Sequence, residues 1–315
     1  MSKLIRAAFY RYFHSILFYV CLALSLISAA VFSYAVRRDK EMYAGLLLLQ
    51  SLIYAVLLSV TVGGEASGGC KNKIIYGYSR LQIYFSELIA ASAVVSGIYL
   101  FYIIFSFLFN ISTVSQTPVS LIMQSLLGFY CISLCICALC VFISFASGKT
   151  IAAAIICVIL VFGIYITWEP TETVLNKSEY FTVYTPKNGA KDESGQPVLQ
   201  GVRDPDDEDM IEVKQKNPEY VGGFARTLLV LYRDLNPYCQ LKRYNAVLRP
   251  YFYTEEERRH ANGLISPYLI DAGYLDTDIT EDEQKFLDTA PLYPLAVTAV
   301  TVPLGALLYR KKKFR

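Results

Sequence analysis

Residues 63–87 read GGEASGGCKNKIIYGYSRLQIYFSE, a glycine-punctuated, basic stretch set between apolar runs at 43–62 and 88–109. On either side of it the apolar residues gather in six runs, at 16–36, 43–62, 88–109, 120–146, 151–168 and 290–309, none of which contains Asp, Glu, Lys, Arg or His. A helix needs about 20 such residues to cross a hydrocarbon core of ~30 Å. With 54% hydrophobic residues and a mean hydropathy of +0.38 over 315 residues, the chain is too apolar for an ordinary soluble domain. An all-α polytopic membrane protein with six transmembrane helices follows. Residues 1–30 could instead be a cleaved signal peptide ending near Ala29 and Ala30, but the uncharged run after His14 reaches Val36, longer than a signal core.

The net charge of +2 conceals a division. Residues 169–289 hold 14 Lys/Arg and 23 Asp/Glu, whereas the rest of the chain holds 15 basic and 4 acidic residues. We therefore expect three parts: 1–168 with an N-terminal helix and spans one to five, an acidic domain over 169–289, and span six with a basic tail over 290–315. Lys and Arg collect on the cytoplasmic side of membrane helices. Placing both termini inside assigns twelve of them to cytoplasmic pieces and three (Arg37, Arg38 and Lys40) to short external loops. The 169–289 segment is then extracytoplasmic, between spans five and six. Its stretches 178–186 and 210–215 alternate as strands do, 224–248 has helical spacing broken at Asn236–Pro237, and a short helix fits 254–262. A mixed α/β domain is expected there.

Before the first span, Leu4, Ile5, Ala8, Phe9 and Tyr12 share one helical face, while Lys3, Arg6 and His14 lie towards the other. That pattern suits an interfacial amphipathic helix in contact with membrane lipid. In span three, Ala93 and Gly97 are spaced for close helix packing.

Several motifs carry no chemistry. Six of the eight cysteines lie inside predicted spans, where Cys behaves as a small apolar residue, so Cys137-x-x-Cys140 is read as packing and not as a zinc site. Ser147-Gly148-Lys149-Thr150 resembles the end of a P-loop, but Ile143 stands where the fingerprint needs glycine, and an apolar run precedes it instead of a strand. It reads as a tight turn between spans four and five. The acidic group Asp204, Asp206, Asp207, Glu208 and Asp209 lacks the central Gly and terminal Glu of a calcium loop. His14 and His260 form no catalytic pair, and nothing points to nucleic acid. Uncharged spans disfavour a secondary transporter, which needs buried ionisable groups.

Glu65, Gly69, Lys71, Asn72 and Lys73, followed by Tyr76, Gly77, Ser79, Arg80 and Tyr84, resemble the cytoplasmic motif of ABC-2-type transporter permeases, in particular those of bacterial bacitracin- and lantibiotic-resistance exporters. Asn217-Pro218-Glu219-Tyr220 with Gly223 and Arg226, then Asn236-Pro237-Tyr238-Cys239-Gln240, and the basic end Arg310–Lys313 are similar to later stretches of that family, with Cys239 where Gly is commoner. The likeness covers nearly the whole chain. It implies a permease of the bacterial cell membrane that is not itself an enzyme. ATP and Mg would be bound by a separate ABC ATPase subunit, with a second permease completing a homo- or heterodimer. Glu65, Gly69, Lys71, Asn72, Lys73, Gly77, Ser79 and Arg80, together with Ser147, Gly148 and Lys149, are then the residues expected to couple ATPase closure to the spans, the glycines supplying sharp turns and 74–80 a short helix. The cargo implied is a peptide antibiotic or amphipathic small molecule. A different class remains open: a membrane-anchored sensor or immunity protein that captures cationic peptides through the acidic domain without any ATPase.

Overall fold

The computed structural model describes residues 1–38, 43–109, 117–186, 210–252 and 279–311. The helix expected over 254–262 lies outside these residues. The chain forms two compact units, one of residues 1–166 with 234–315 and one of 167–233. The division differs from the expected 169–289 domain, because residues 234–252 pack with the apolar helices. Within the described residues, five helices are long and apolar enough to cross a membrane, at Leu48–Ile75, Arg80–Phe109, Val119–Ser147, Thr150–Leu175 and Glu281–Lys311. A sixth span results if the pair Ser2–Phe13 and Ile16–Val31, bent by 65°, is counted as one. The chain is a multi-pass helical membrane protein.

In the larger unit, α1 (Ser2–Phe13) turns through that bend into α2 (Ile16–Arg38), and α3 (Tyr43–Gly64) follows. Leu4, Ala8 and Tyr12, spaced by four, are buried on one face of α1, and α1 packs on α5 (Arg80–Phe109). The apolar face expected to rest in lipid headgroups is therefore covered by protein. α6 (Val119–Ser147) packs between α3, α5 and the last helix, α12 (Leu292–Lys311), which follows the short α11 (Glu281–Thr289), while α7 (Thr150–Ile166) lies along α3.

The segment 63–87 is not the glycine-rich loop that its composition suggests. α3 runs on without a break through a π-helical segment (Glu65–Gly69) into α4 (Cys70–Ile75). Gly64 and Gly69 both have ordinary right-handed helical dihedrals. Helical glycine costs about 1 kcal/mol relative to Ala, and packing explains two of the four. A Cβ on Gly63 would stand 3.1 Å from the Thr150 Cα, so glycine lets α3 approach α7. A Cβ on Gly69 would collide with the carboxylate of Glu65 one turn earlier.

The turn itself is confined to 76–79. Gly77 has φ +86°, and its N–H bonds the Ile74 carbonyl (2.9 Å) while that of Tyr78 bonds Lys73 (3.1 Å). This is a Schellman stop, which favours glycine at the left-handed position. Ser79 then starts α5: its hydroxyl accepts from the Gln82 N–H (3.2 Å), and the Gln82 side chain accepts from the Ser79 N–H (3.0 Å). This reciprocal pair is a capping box. The short helix expected over 74–80 is thus replaced by α4 and this turn.

At the α6–α7 junction Gly148 (φ +64°) closes α6 through its N–H to the Ser144 carbonyl at 3.1 Å, and the short turn expected over 147–150 forms. Further on, Asn236 caps α10 (Pro237–Leu248), accepting from the Tyr238 N–H at 2.9 Å and donating to the Ile164 carbonyl at 3.1 Å. Proline at the first helical position needs no N–H partner, so Asn-Pro both breaks and restarts the helix. Tyr244 of α10 is buried over Gly128 of α6, where any Cβ would strike its ring.

In the smaller unit, β1 (Tyr180–Pro186) pairs antiparallel with β2 (Met210–Lys216), Val183 opposite Val213. This ribbon lies between α8 (Trp168–Leu175) and α9 (Gly223–Leu235) in the chain order. Asn217 closes its open end, with its N–H on the Glu179 carbonyl (2.9 Å) and its amide on the Ser178 carbonyl (3.1 Å). Arg226 lies 4.7 Å from the Tyr220 ring centre and donates to the Leu175 carbonyl at 2.8 Å.

Candidate functional site

Only four acidic residues lie outside 169–289: Asp39, Glu41, Glu65 and Glu87. The fold brings Glu65 and Glu87 together. Their side chains are 5% and 1% exposed, and each is bonded by the same two cations, Arg11 and Lys73. Arg11 reaches Glu65 through Nη1 and Glu87 through Nη2. Lys73 Nζ stands 2.9 Å from Glu65 Oε1 and 3.1 Å from Glu87 Oε1. The four side chains close a ring of zero net charge.

Each member comes from a different element: Arg11 from the last turn of α1, Glu65 from the π-helical segment, Lys73 from α4 and Glu87 from the third turn of α5. Placement follows from local structure. Arg11 sits at the edge of the buried stripe of α1, beside Tyr12. A π-turn rotates the following residues relative to an α-helix, and Gly69 leaves the space that the Glu65 carboxylate fills. The Schellman turn at Gly77 reverses the chain, so that α5 passes Glu87 back beside Lys73.

A carboxylate in such surroundings costs several kcal/mol to desolvate unless it is paired. Each acid here has two cationic partners, and each cation has two acids. Removing either cation leaves two buried carboxylates with one partner between them, so the ring ties α1, the end of α3, α4 and the start of α5 into one block.

The expected coupling residues divide between this ring and the surface. Glu65 and Lys73 are ring members, and Gly69 makes room for the ring. Gly77 and Ser79 shape the turn. Lys71 and Asn72 are exposed on α4, as is Lys149 in the α6–α7 turn. Arg80 donates to the Arg310 carbonyl at the end of α12 (3.2 Å). Ser67 and Thr150 hydroxyls stand 3.5 Å apart, bringing the π-helical segment against the α6–α7 turn. Ser147 bonds back to the Ser144 carbonyl at 3.2 Å. The two separate stretches therefore meet at one end of the bundle, which also carries the end of α12.

Sequence reasoning missed Arg11 and Glu87 as site residues. A signal was available for Glu87: a lone acid beside a long apolar run, in a region of 15 basic and 4 acidic residues, calls for a cationic partner. Arg11 has no such signal, since its place depends on how α1 is docked. Among the described residues no group of three His, Cys, Asp or Glu side chains could hold a metal ion.

Fold and site together define a multi-pass helical membrane protein with a charged, protein-buried anchor at one end of its bundle. No protein-family model matches the chain, and no curated protein matches it significantly.

Proposed function

We propose that this chain is the membrane-spanning permease subunit of an ABC exporter, driven by a separate ATPase subunit and working as a dimer of permeases. The observation that carries the proposal is the hairpin of α4 and the Gly77 turn, anchored by two buried carboxylates and their two shared cations while Lys71, Asn72, Gly77 and Ser79 face outward. A surface that must pass a push into membrane helices has to be rigidly joined to them, and the ring supplies that join. The neighbouring α6–α7 turn, with Lys149 exposed, offers a second contact for the same partner. The likeness of residues 65–80 to the ABC-2-type motif supports the same conclusion.

In this proposal the end bearing α4 and Lys149 faces the cytoplasm of a bacterial cell with both termini, and the acidic segment 169–289, including the β1–β2 ribbon, forms a mixed α/β domain outside. α2 is the first of six spans, with α1 as the helix that precedes it. ATP and Mg belong to the partner. Closure of the ATPase pair shifts the spans between inward- and outward-open arrangements through its differential affinity for the two. The cargo is a peptide antibiotic or another amphipathic compound.

The test is purification from native membranes in mild detergent, identification of co-purifying proteins and an ATPase assay. We expect an ABC ATPase with vanadate-sensitive turnover, lost when Lys71→Glu and Lys149→Glu are combined while the thermal midpoint is kept. A preparation free of any ATPase overturns the proposal. Binding of cationic peptide by that preparation would then favour the sensor or immunity alternative.

A further inference from the structure

Beside the charge ring an open groove of about 520 Å³ runs between α1 and the π-helical segment. Lys3, Arg6, Tyr10 and Arg11 line one wall, and Glu65 and Lys73 the other. Four cations thus face one carboxylate, and that carboxylate is already held by Arg11 and Lys73. Glu87 neutralises the same two cations from behind. The ring being balanced, the uncompensated charge of the groove is that of Lys3 and Arg6. Among the described residues neither meets a carboxylate within ion-pairing distance. Both are exposed and share a face of α1 with Tyr10, at i, i+3 and i+7.

The level of the groove can be read from its neighbours. α2 presents an exposed apolar face starting at Ile16, 81% exposed, and continuing through Val20, Leu24 and Ile27. Tyr10, Phe13 and Tyr19 are exposed just at the join of α1 and α2. Aromatic residues at the start of a lipid-facing helix mark the headgroup layer. The groove opens one to three turns before that start, where lipid phosphates lie.

We propose that this groove is a phosphate-anion site whose ligand is the headgroup of an anionic membrane lipid, held by Lys3 and Arg6 against the wall made by the ring and Tyr10. The inference depends on α2 entering a membrane and is independent of any ATPase partner. Clustered basic side chains at a membrane surface gain about 1 kcal/mol each from anionic lipid, which is about a fivefold change in occupancy. The lipid would also hold α1 in place beside the ring.

The full chain is reconstituted in nanodiscs of equal phosphatidylglycerol and phosphatidylcholine, and lipids retained after release are counted by native mass spectrometry. We expect phosphatidylglycerol to be retained preferentially. Lys3→Ala and Arg6→Ala should each lower that retention about fivefold. Lys71→Ala, an exposed cation outside the groove, should leave it unchanged. Equal retention of the two lipids by the wild type overturns the proposal, as does an equal loss with Lys71→Ala. A second arm separates the sources of phosphate. If inorganic phosphate or glycerol phosphate, added to discs of phosphatidylcholine alone, raises the thermal midpoint as much as phosphatidylglycerol does, the groove serves a soluble anion and the lipid assignment falls.

Discussion

The ring of Arg11, Glu65, Lys73 and Glu87 and the pair Lys177–Glu219 are built from the same kinds of side chain and differ in burial. In the ring the carboxylates are 5% and 1% exposed and each has two cations. In the pair the Glu219 side chain is 67% exposed and has one. The Lys177 ammonium, by hydrogen bond and by charge, holds the Glu219 carboxyl below its usual range. Water screens that attraction and would solvate either group alone, so the pair has little structural weight. The two ring carboxylates are shut away from water and depend on their partners, so the same chemistry becomes a structural constraint. The stretch α4 to α5 is fastened by charge, while the ribbon's end is closed by backbone and amide hydrogen bonds from Asn217.

Mutations can break this contrast at graded strengths. The largest effect belongs to Glu87→Ala, which leaves Arg11 and Lys73 to share Glu65 alone and should lower stability in detergent by about 3 kcal/mol, measured by thermal or denaturant unfolding. Combining Glu87→Gln with Lys73→Gln restores neutrality and should recover most of the loss. If the double variant is as unstable as the sum of the singles, the ring is not acting as one unit. Gly69→Ala is next: the added methyl meets the Glu65 carboxylate, and overpacking of this kind costs about 1–3 kcal/mol. Gly77→Ala should cost about 1–2 kcal/mol through its left-handed φ alone, with no change in ring energetics in a double-mutant cycle with Glu87→Gln. Lys177→Ala should leave the unfolding midpoint where it is. Because the Glu219 pKa is lowered in the folded state, whatever the pair contributes is present above the ordinary carboxylate range and disappears as pH falls through the lowered value. A large loss on Lys177→Ala at neutral pH would remove the contrast between the two regions.

Much of the helical layout was legible beforehand because it depends on neighbours in sequence. The runs at 120–146 and 151–168 and the tight turn at Gly148 appear within a residue or two of their expected limits. So does the break at Asn236–Pro237, where Asn caps and Pro starts α10. The strands at 180–186 and 210–216 follow from alternation. Residues 63–75 were misleading for a physical reason. Four glycines lower helix propensity, and in isolation they favour a loop. Packing accounts for two of them: Gly63 admits α7 by tertiary contact, and Gly69 admits the Glu65 side chain one turn earlier. The apolar face of α1 was legible as a face, but the sequence carries no sign of whether lipid or α5 would cover it.

The membrane class of the chain, the approximate extent of its apolar helices, and the local signals that stop and start them could therefore be read along the chain. Each of these is set by hydrophobic run length or by bonds among residues a few positions apart. Which charges meet depends instead on how the helices pack. Arg11 and Glu87 are 76 positions apart, and a charge is favourable inside a protein only where a specific partner has been brought to it. Burial and partner choice arise together as α1, α4 and α5 pack, so neither is written in the spacing of any one of them.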